Sequence, residues 1–258
     1  MASFGPAPLF TNHVNLGASL GGNPLVSAPQ DRAPTSVSAY PIATGSSVFG
    51  IKYEGGVLLG ADTLVSYGKM ARYPGTPRLY KVNETTVITC SGDFADFQCI
   101  TALVERMQIE EERTNNEVVM QPRSLHRYLT RYLYNLRSKF DPKWTNIVVG
   151  GLQDGEPYLG YVSMIGLAFT EEAVTTGLGG AVALPLIRKH LDQNSGRMLT
   201  FQEATKIMEE SIKLGFALDC VAYPKYQIAN ITKEGVHIGE PETVKLNWKY
   251  VKNFNATL

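Results

Sequence analysis

The sequence is short of the features that mark most binding and transport classes. Lys and Arg together number 24, and so do Asp and Glu, so the formal net charge is zero. No basic excess points to nucleic acid and no acidic tail to a charged partner. No apolar run approaches the roughly 18 residues of a membrane span. The first 31 residues hold neither Lys nor Arg, so they lack the basic start of a secretory signal and the Arg-rich face of a mitochondrial one. Cysteine is scarce and odd in number. Cys90, Cys99 and Cys220 are spaced unlike any zinc motif, and His13, His126, His190 and His237 are scattered. Neither a metal nor a cofactor is expected. The thiols read as reduced groups in a cytosolic or nuclear protein.

What is present suits a sizeable core. The chain has 258 residues, 44% hydrophobic and 19% charged, enough for one or two domains. Residues 1–37 are rich in Gly, Ala, Ser, Pro and Asn, with no period of 2 or 3.6. Such a segment buries too little apolar area to offset its ordering entropy. It reads as a disordered tail or as a leader removed in maturation. The expected boundaries are a leader at 1–37, one domain at 38–248 and an arm at 249–258.

The chain is organised around Gly45 to Gly68. Val48 to Tyr53 alternates as a strand, and Glu54-Gly55-Gly56 is a tight turn. Val57 to Ala61 is apolar throughout, as in a strand covered on both faces. Asp62 closes it, either as a site residue or as half of an ion pair. Thr63 to Arg78, with Gly68, Pro74, Gly75 and Pro77, suits a loop or a short irregular hairpin. Leu79 to Val82 and Thr86 to Cys90 read as strands. Ser91-Gly92-Asp93 is a turn able to cap a helix in which Phe97, Ile100, Val104 and Met107 fall at helical spacing.

A second helix has the strongest periodicity in the chain. Leu125, Tyr128, Leu129, Tyr132, Leu133 and Leu136 form its seam, with Arg123, Arg127, Arg131 and Arg137 largely off it. That basic face suits solvent or another subunit better than nucleic acid. Thr145 to Leu152 and Pro157 to Ile165 read as strands joined at Asp154-Gly155, with a weaker strand from Leu167 to Val174. A helix after Thr175 to Gly180, running to about Leu191, carries Pro185 in or just past its first turn. No Lys-Ser/Thr follows the glycines, so a phosphate loop is excluded. Thr200 to Glu203 is a capping box for a further helix to about Phe216. Tyr226 to Ile231 and Val236 to Ile238 form a closing hairpin. Strands, two helices, strands, two helices, strands is the order of an α+β fold, a four-layer αββα sandwich.

A small polar residue, an apolar strand, a glycine turn, a second apolar strand and an Asp resemble the opening of proteasome beta subunits. Further segments are similar to one non-catalytic member of that family, at the seventh position of the beta ring. They are Ser91 to Gln98, Arg137-Ser138-Lys139 with Pro142 and Trp144, Pro185 to Arg188, and Asn247-Trp248. The resemblance implies the N-terminal nucleophile hydrolase fold. It also implies beta-ring and alpha-ring partners, and contact with the opposite beta ring through Lys249–Leu258. No nucleic acid and no membrane are implied.

The family reaction needs a hydroxyl nucleophile whose own free amino group accepts the proton, supported by an aspartate, a lysine and two serines. On that pattern Ser46 holds the nucleophile position and Asp62 the aspartate. Arg78 stands at the lysine, Leu178 at the first serine, Asp219 at the later aspartate, and Ala222 at the second serine. A serine can attack, so position 46 alone does not decide. Arginine keeps its proton, and two hydroxyls are gone. The reading is a degenerate site in which Asp62 and Arg78 form a partly buried ion pair. An active peptidase using Ser46, and a free-standing binding protein on the same fold, are the alternatives.

Overall fold

The computed structural model describes residues 41–113, 120–194 and 197–246. The chain enters as β1 (Ala43–Gly45), then β2 (Val48–Tyr53) and β3 (Gly56–Asp62), which pair in antiparallel register from Val48↔Ala61 to Tyr53↔Gly56. The stretch after Asp62 is a hairpin, β4 (Leu64–Tyr67) and β5 (Met70–Pro74), with a register shift between Val65 and Tyr67. Next come β6 (Leu79–Asn83) and β7 (Thr86–Asp93). The helices α1 (Phe94–Arg113) and α2 (Pro122–Ser138) follow. The Asp93 carboxylate accepts from the Asp96 amide (3.0 Å), the cap expected at that turn.

The second half repeats this order. β8 (Thr145–Gln153) and β9 (Glu156–Val162) form a hairpin, and Asp154 takes φ 54° at its turn. The strand expected over Leu167–Val174 is two strands in different sheets. β10 (Ala168–Thr170) pairs with β9, and β11 (Ala173–Thr175) pairs with β2. The crossing falls at Glu171-Glu172, where two adjacent charges suit neither sheet face. The third helix divides at Ala183 into α3 (Gly179–Val182) and α4 (Leu184–Gln193), with Pro185 in the first turn of α4. α5 (Phe201–Leu218) opens with the full Thr200/Glu203 capping box. β12 (Lys225–Thr232), β13 (Gly235–Ile238) and β14 (Glu242–Thr243) complete the second sheet.

Two antiparallel sheets carry the core. One runs β10-β9-β8-β7-β1-β4-β5, with β6 also on β7. The other runs β11-β2-β3-β12-β13, with β14 on β12. Alternation assigns the faces. Val57, Leu59, Val87, Val148 and Ile231 fill the space between the sheets. Ile88, Ile147 and Val149 turn outward onto Ile100, Leu125 and Leu129 of α1 and α2. Phe49, Ile51 and Leu58 turn outward onto Ile187, Met208 and Ile212 of α4 and α5. The layers are therefore αββα, as the sequence order required. The leader at 1–37, Asn247-Trp248 and the arm Lys249–Leu258 lie outside the described residues.

Candidate functional site

Ser46 and Ser47 link β1 to β2, and so pass from one sheet to the other. β1 itself is held on both sides. Thr44 pairs with Ser66 and Asp93, and Gly45 with Val65 and Gly92. The Ser46 nitrogen therefore belongs to a chain whose preceding residues are part of a sheet. The Ser46 hydroxyl donates to Asp62 Oδ2 at 2.6 Å. The same carboxylate accepts from the Tyr223 amide (3.0 Å) and, through Oδ1, from Arg78 Nη2.

Arg78 is the centre of this cluster. It is 1% exposed, a fully buried guanidinium. Nε donates to the Asp62 carbonyl at 3.0 Å. Nη1 donates to the Ser46 and Cys90 carbonyls at 2.8 and 3.0 Å. Nη2 reaches Ser46 Oγ and the Ser47 carbonyl, both at 3.3 Å, besides its ion pair with Asp62. All five N–H groups of the planar fork have partners, which a lysine with three donors could not match. The ion pair expected between Asp62 and Arg78 is present and is buried rather than partly exposed. Burial pushes the Cys90 thiol up to about 12. Its carbonyl, not its sulfur, serves the cluster.

Asp219 ends α5, and its carboxylate accepts from the Val221 amide at 3.0 Å. Asp219 and Ala222 line one small cavity with Ser46, Ser47, Asp62 and Tyr223, of about 20 Å³. That is room for about one water molecule. Leu178 does not join them. It is 41% exposed, because the turn before it is pinned by its neighbours. Thr176 exchanges hydrogen bonds with Val48 (amide to Oγ1 3.0 Å, amide to carbonyl 2.9 Å). The Gly179 amide donates to Ser47 Oγ at 2.8 Å. Gly177 takes φ 59°, a left-handed conformation that suits glycine. Sequence reasoning missed Ser47 and the Tyr223 amide. Neither carries a local signal, since both are recruited by contacts more than 130 residues apart in the chain.

The cluster sits where the chain passes from one sheet to the other. A family model described as Proteasome subunit matches residues 42–231. The chain belongs to the proteasome beta-subunit family. Proteasome subunit beta type-4 of Xenopus laevis is 36% identical over 216 residues, covering 84% of this chain and 88% of that protein. The beta type-4 subunit of Arabidopsis thaliana is 36% identical over 220 residues, covering 84% and 87%. A probable proteasome subunit beta type-7 of Schizosaccharomyces pombe is 33% identical over 222 residues, covering 85% of each chain. This proteasome beta subunit thus has two of its six candidate positions, Arg78 and Asp62, joined in a buried ion pair, with Ser46 bound to both. Two more line the adjoining cavity, and Leu178 stands apart.

Proposed function

We propose that this chain is a non-catalytic beta subunit of the 20S core, and that its former nucleophile site now serves as a structural clamp. The observation that carries the reading is Arg78. In the family reaction a lysine adjusts charge beside the nucleophile. A guanidinium with every donor engaged has no proton to exchange and no freedom to move. The Asp62 carboxylate is likewise committed, to Ser46, Arg78 and Tyr223. The hydroxyls expected at positions 178 and 222 are Leu and Ala. Losing members of a catalytic unit typically costs several orders of magnitude. A cavity of about 20 Å³ also falls far short of the roughly 300 Å³ of an ordinary ligand pocket. The runner-up, a peptidase using Ser46, is favoured by the 2.6 Å hydrogen bond from Ser46 to Asp62. It would need a free amine at Ser46.

The wider reading follows from the family. The subunit contributes to ring assembly and to ubiquitin-dependent protein degradation in the cytoplasm and nucleus, beside other beta subunits and the alpha ring. Its leader is removed near Val37-Ser38, leaving Ser38–Gly45 attached, so that Ser46 never gains a free amine. Pairing of Thr44 and Gly45 on both sides, and of Ala43 on one, supports retention of that extension. In purified particles, an epoxyketone inhibitor, which bridges a hydroxyl and a free amine, should leave this chain unlabelled. Intact mass of the same chain should place its start near Ser38. Labelling of Ser46 at the level of active neighbours, with a start at Ser46, would establish the peptidase instead.

The arm Lys249–Leu258 is the proposed tether to the opposite beta ring. It spaces Tyr250, Val251, Phe254 and Leu258 among polar residues, and ten extended residues reach roughly 33–36 Å. Deleting it should leave incorporation into half-particles intact and slow their joining. Normal rates of full-particle formation in the deletion strain would refute the tether.

A further inference from the structure

The outer side of α2 carries a feature that the clamp and the fold do not use. Arg123, Arg127 and Arg131 recur at i, i+4 and i+8, which spreads three guanidiniums along about 12 Å of one helix face. All three are exposed, and all three line an open groove of 590 Å³ between α2 and the β9–β10 edge. Among the described residues no Asp or Glu lines that groove, and none of the three arginines pairs with a described carboxylate. In a chain with equal numbers of acids and bases, such a cluster is a local excess of charge.

The floor of the groove is built and rigid. His126 is 6% exposed. Its Nδ1 lies 2.8 Å from the Tyr158 hydroxyl and its Nε2 2.9 Å from the Tyr161 carbonyl. Burial raises the Tyr158 phenol, and the Arg123 and Arg127 charges act against it. At one end lies Gln153, whose amide nitrogen donates to Asp154 Oδ2 at 2.8 Å.

We propose that this groove receives an acidic peptide segment of an adjoining subunit. Its carboxylates would pair with Arg123, Arg127 and Arg131. The planar fork of each guanidinium matches a carboxylate bidentately. A polypeptide supplies both carboxylates and apolar side chains. Inorganic phosphate offers no apolar group, and a nucleic-acid backbone offers no carboxylate. Phe169, 43% exposed on the groove wall, gives such a segment an apolar side chain to lie against.

The inference rests on the chain being an assembled subunit, and the test separates the two. Full-length tagged chain is expressed beside the other subunits, as wild type, as R123E/R127E/R131E and as R123K/R127K/R131K. Incorporation into particles is read on native gels, and folding by thermal melting of each purified chain. Exposed positions should leave the melting point within about 2 °C. The triple Glu variant should incorporate at least tenfold less than wild type. The triple Lys variant, which keeps charge without the fork, should fall between them. If the Glu variant melts early, R123Q/R127Q/R131Q is expected to give the same loss with the melting point retained. A Glu variant that incorporates like wild type overturns the groove proposal alone. It does so equally if that variant has lost affinity for a labelled single-stranded oligonucleotide, which would assign the groove to nucleic acid. A wild-type chain that never enters particles overturns the assembly reading and this proposal together.

Discussion

Replacing Arg78 by Met should destabilise the subunit by about 3–5 kcal/mol, because it leaves the buried Asp62 carboxylate without its counter-charge. Four backbone carbonyls, of Ser46, Ser47, Asp62 and Cys90, lose a donor in the same change. For a domain of this size the melting point should fall by about 6–20 °C. Adding Asp62→Asn should recover part of that loss, since the uncompensated charge goes. Chemical denaturation of the four-member cycle measures the coupling. An Arg78→Met variant as stable as wild type would mean that the pair is dispensable and that the site's geometry is held by packing alone. Arg78→Lys should lie between, with charge kept but two of the five donors missing.

That clamp explains which parts of the molecule could be read from the sequence. α2 was legible because its seam of Leu125, Leu129 and Leu133 is a local pattern, and all three are fully buried against the sheet. The capping box at Thr200 and the β8–β9 turn were legible for the same reason: each signal lies within four residues. β1 was not. It is three residues long, and its strand character comes from partners at Val65–Tyr67 and Gly92–Asp93 rather than from alternation. The β10–β11 crossing was also hidden, because the apolar pieces on either side of Thr170-Glu171-Glu172 are too short to read as separate strands, and only their pairing assigns them to two sheets. At the site, Ser46, Asp62 and Arg78 were nameable from the family pattern, but the number of partners Arg78 holds was not. Those partners are carbonyls, which every residue type possesses, and only the fold brings them together.

Gly45 is where the entering strand meets the clamp, and Gly45→Ala should cost about 1–3 kcal/mol. A Cβ at this position would lie 2.7 Å from both Cδ and Nη1 of Arg78 and 3.2 Å from its Cζ. Ordinarily an arginine side chain would swing away. Here its donors are tied to the Ser46, Ser47, Asp62 and Cys90 carbonyls and to the Asp62 carboxylate, so moving it breaks several hydrogen bonds at once. The strand cannot retreat either, since Gly45 is paired to Val65 on one side and to Gly92 on the other. The cost should therefore depend on Arg78. In an Arg78→Ala background the colliding atoms are gone, and Gly45→Ala should cost close to nothing, giving a coupling of about 1–3 kcal/mol between the two positions. Denaturant unfolding of the wild type, the two single variants and the double variant reads that coupling directly. Equal costs for Gly45→Ala in both backgrounds would sink the clamp as the reason for glycine here, and would return that residue to a role in backbone conformation or leader cleavage.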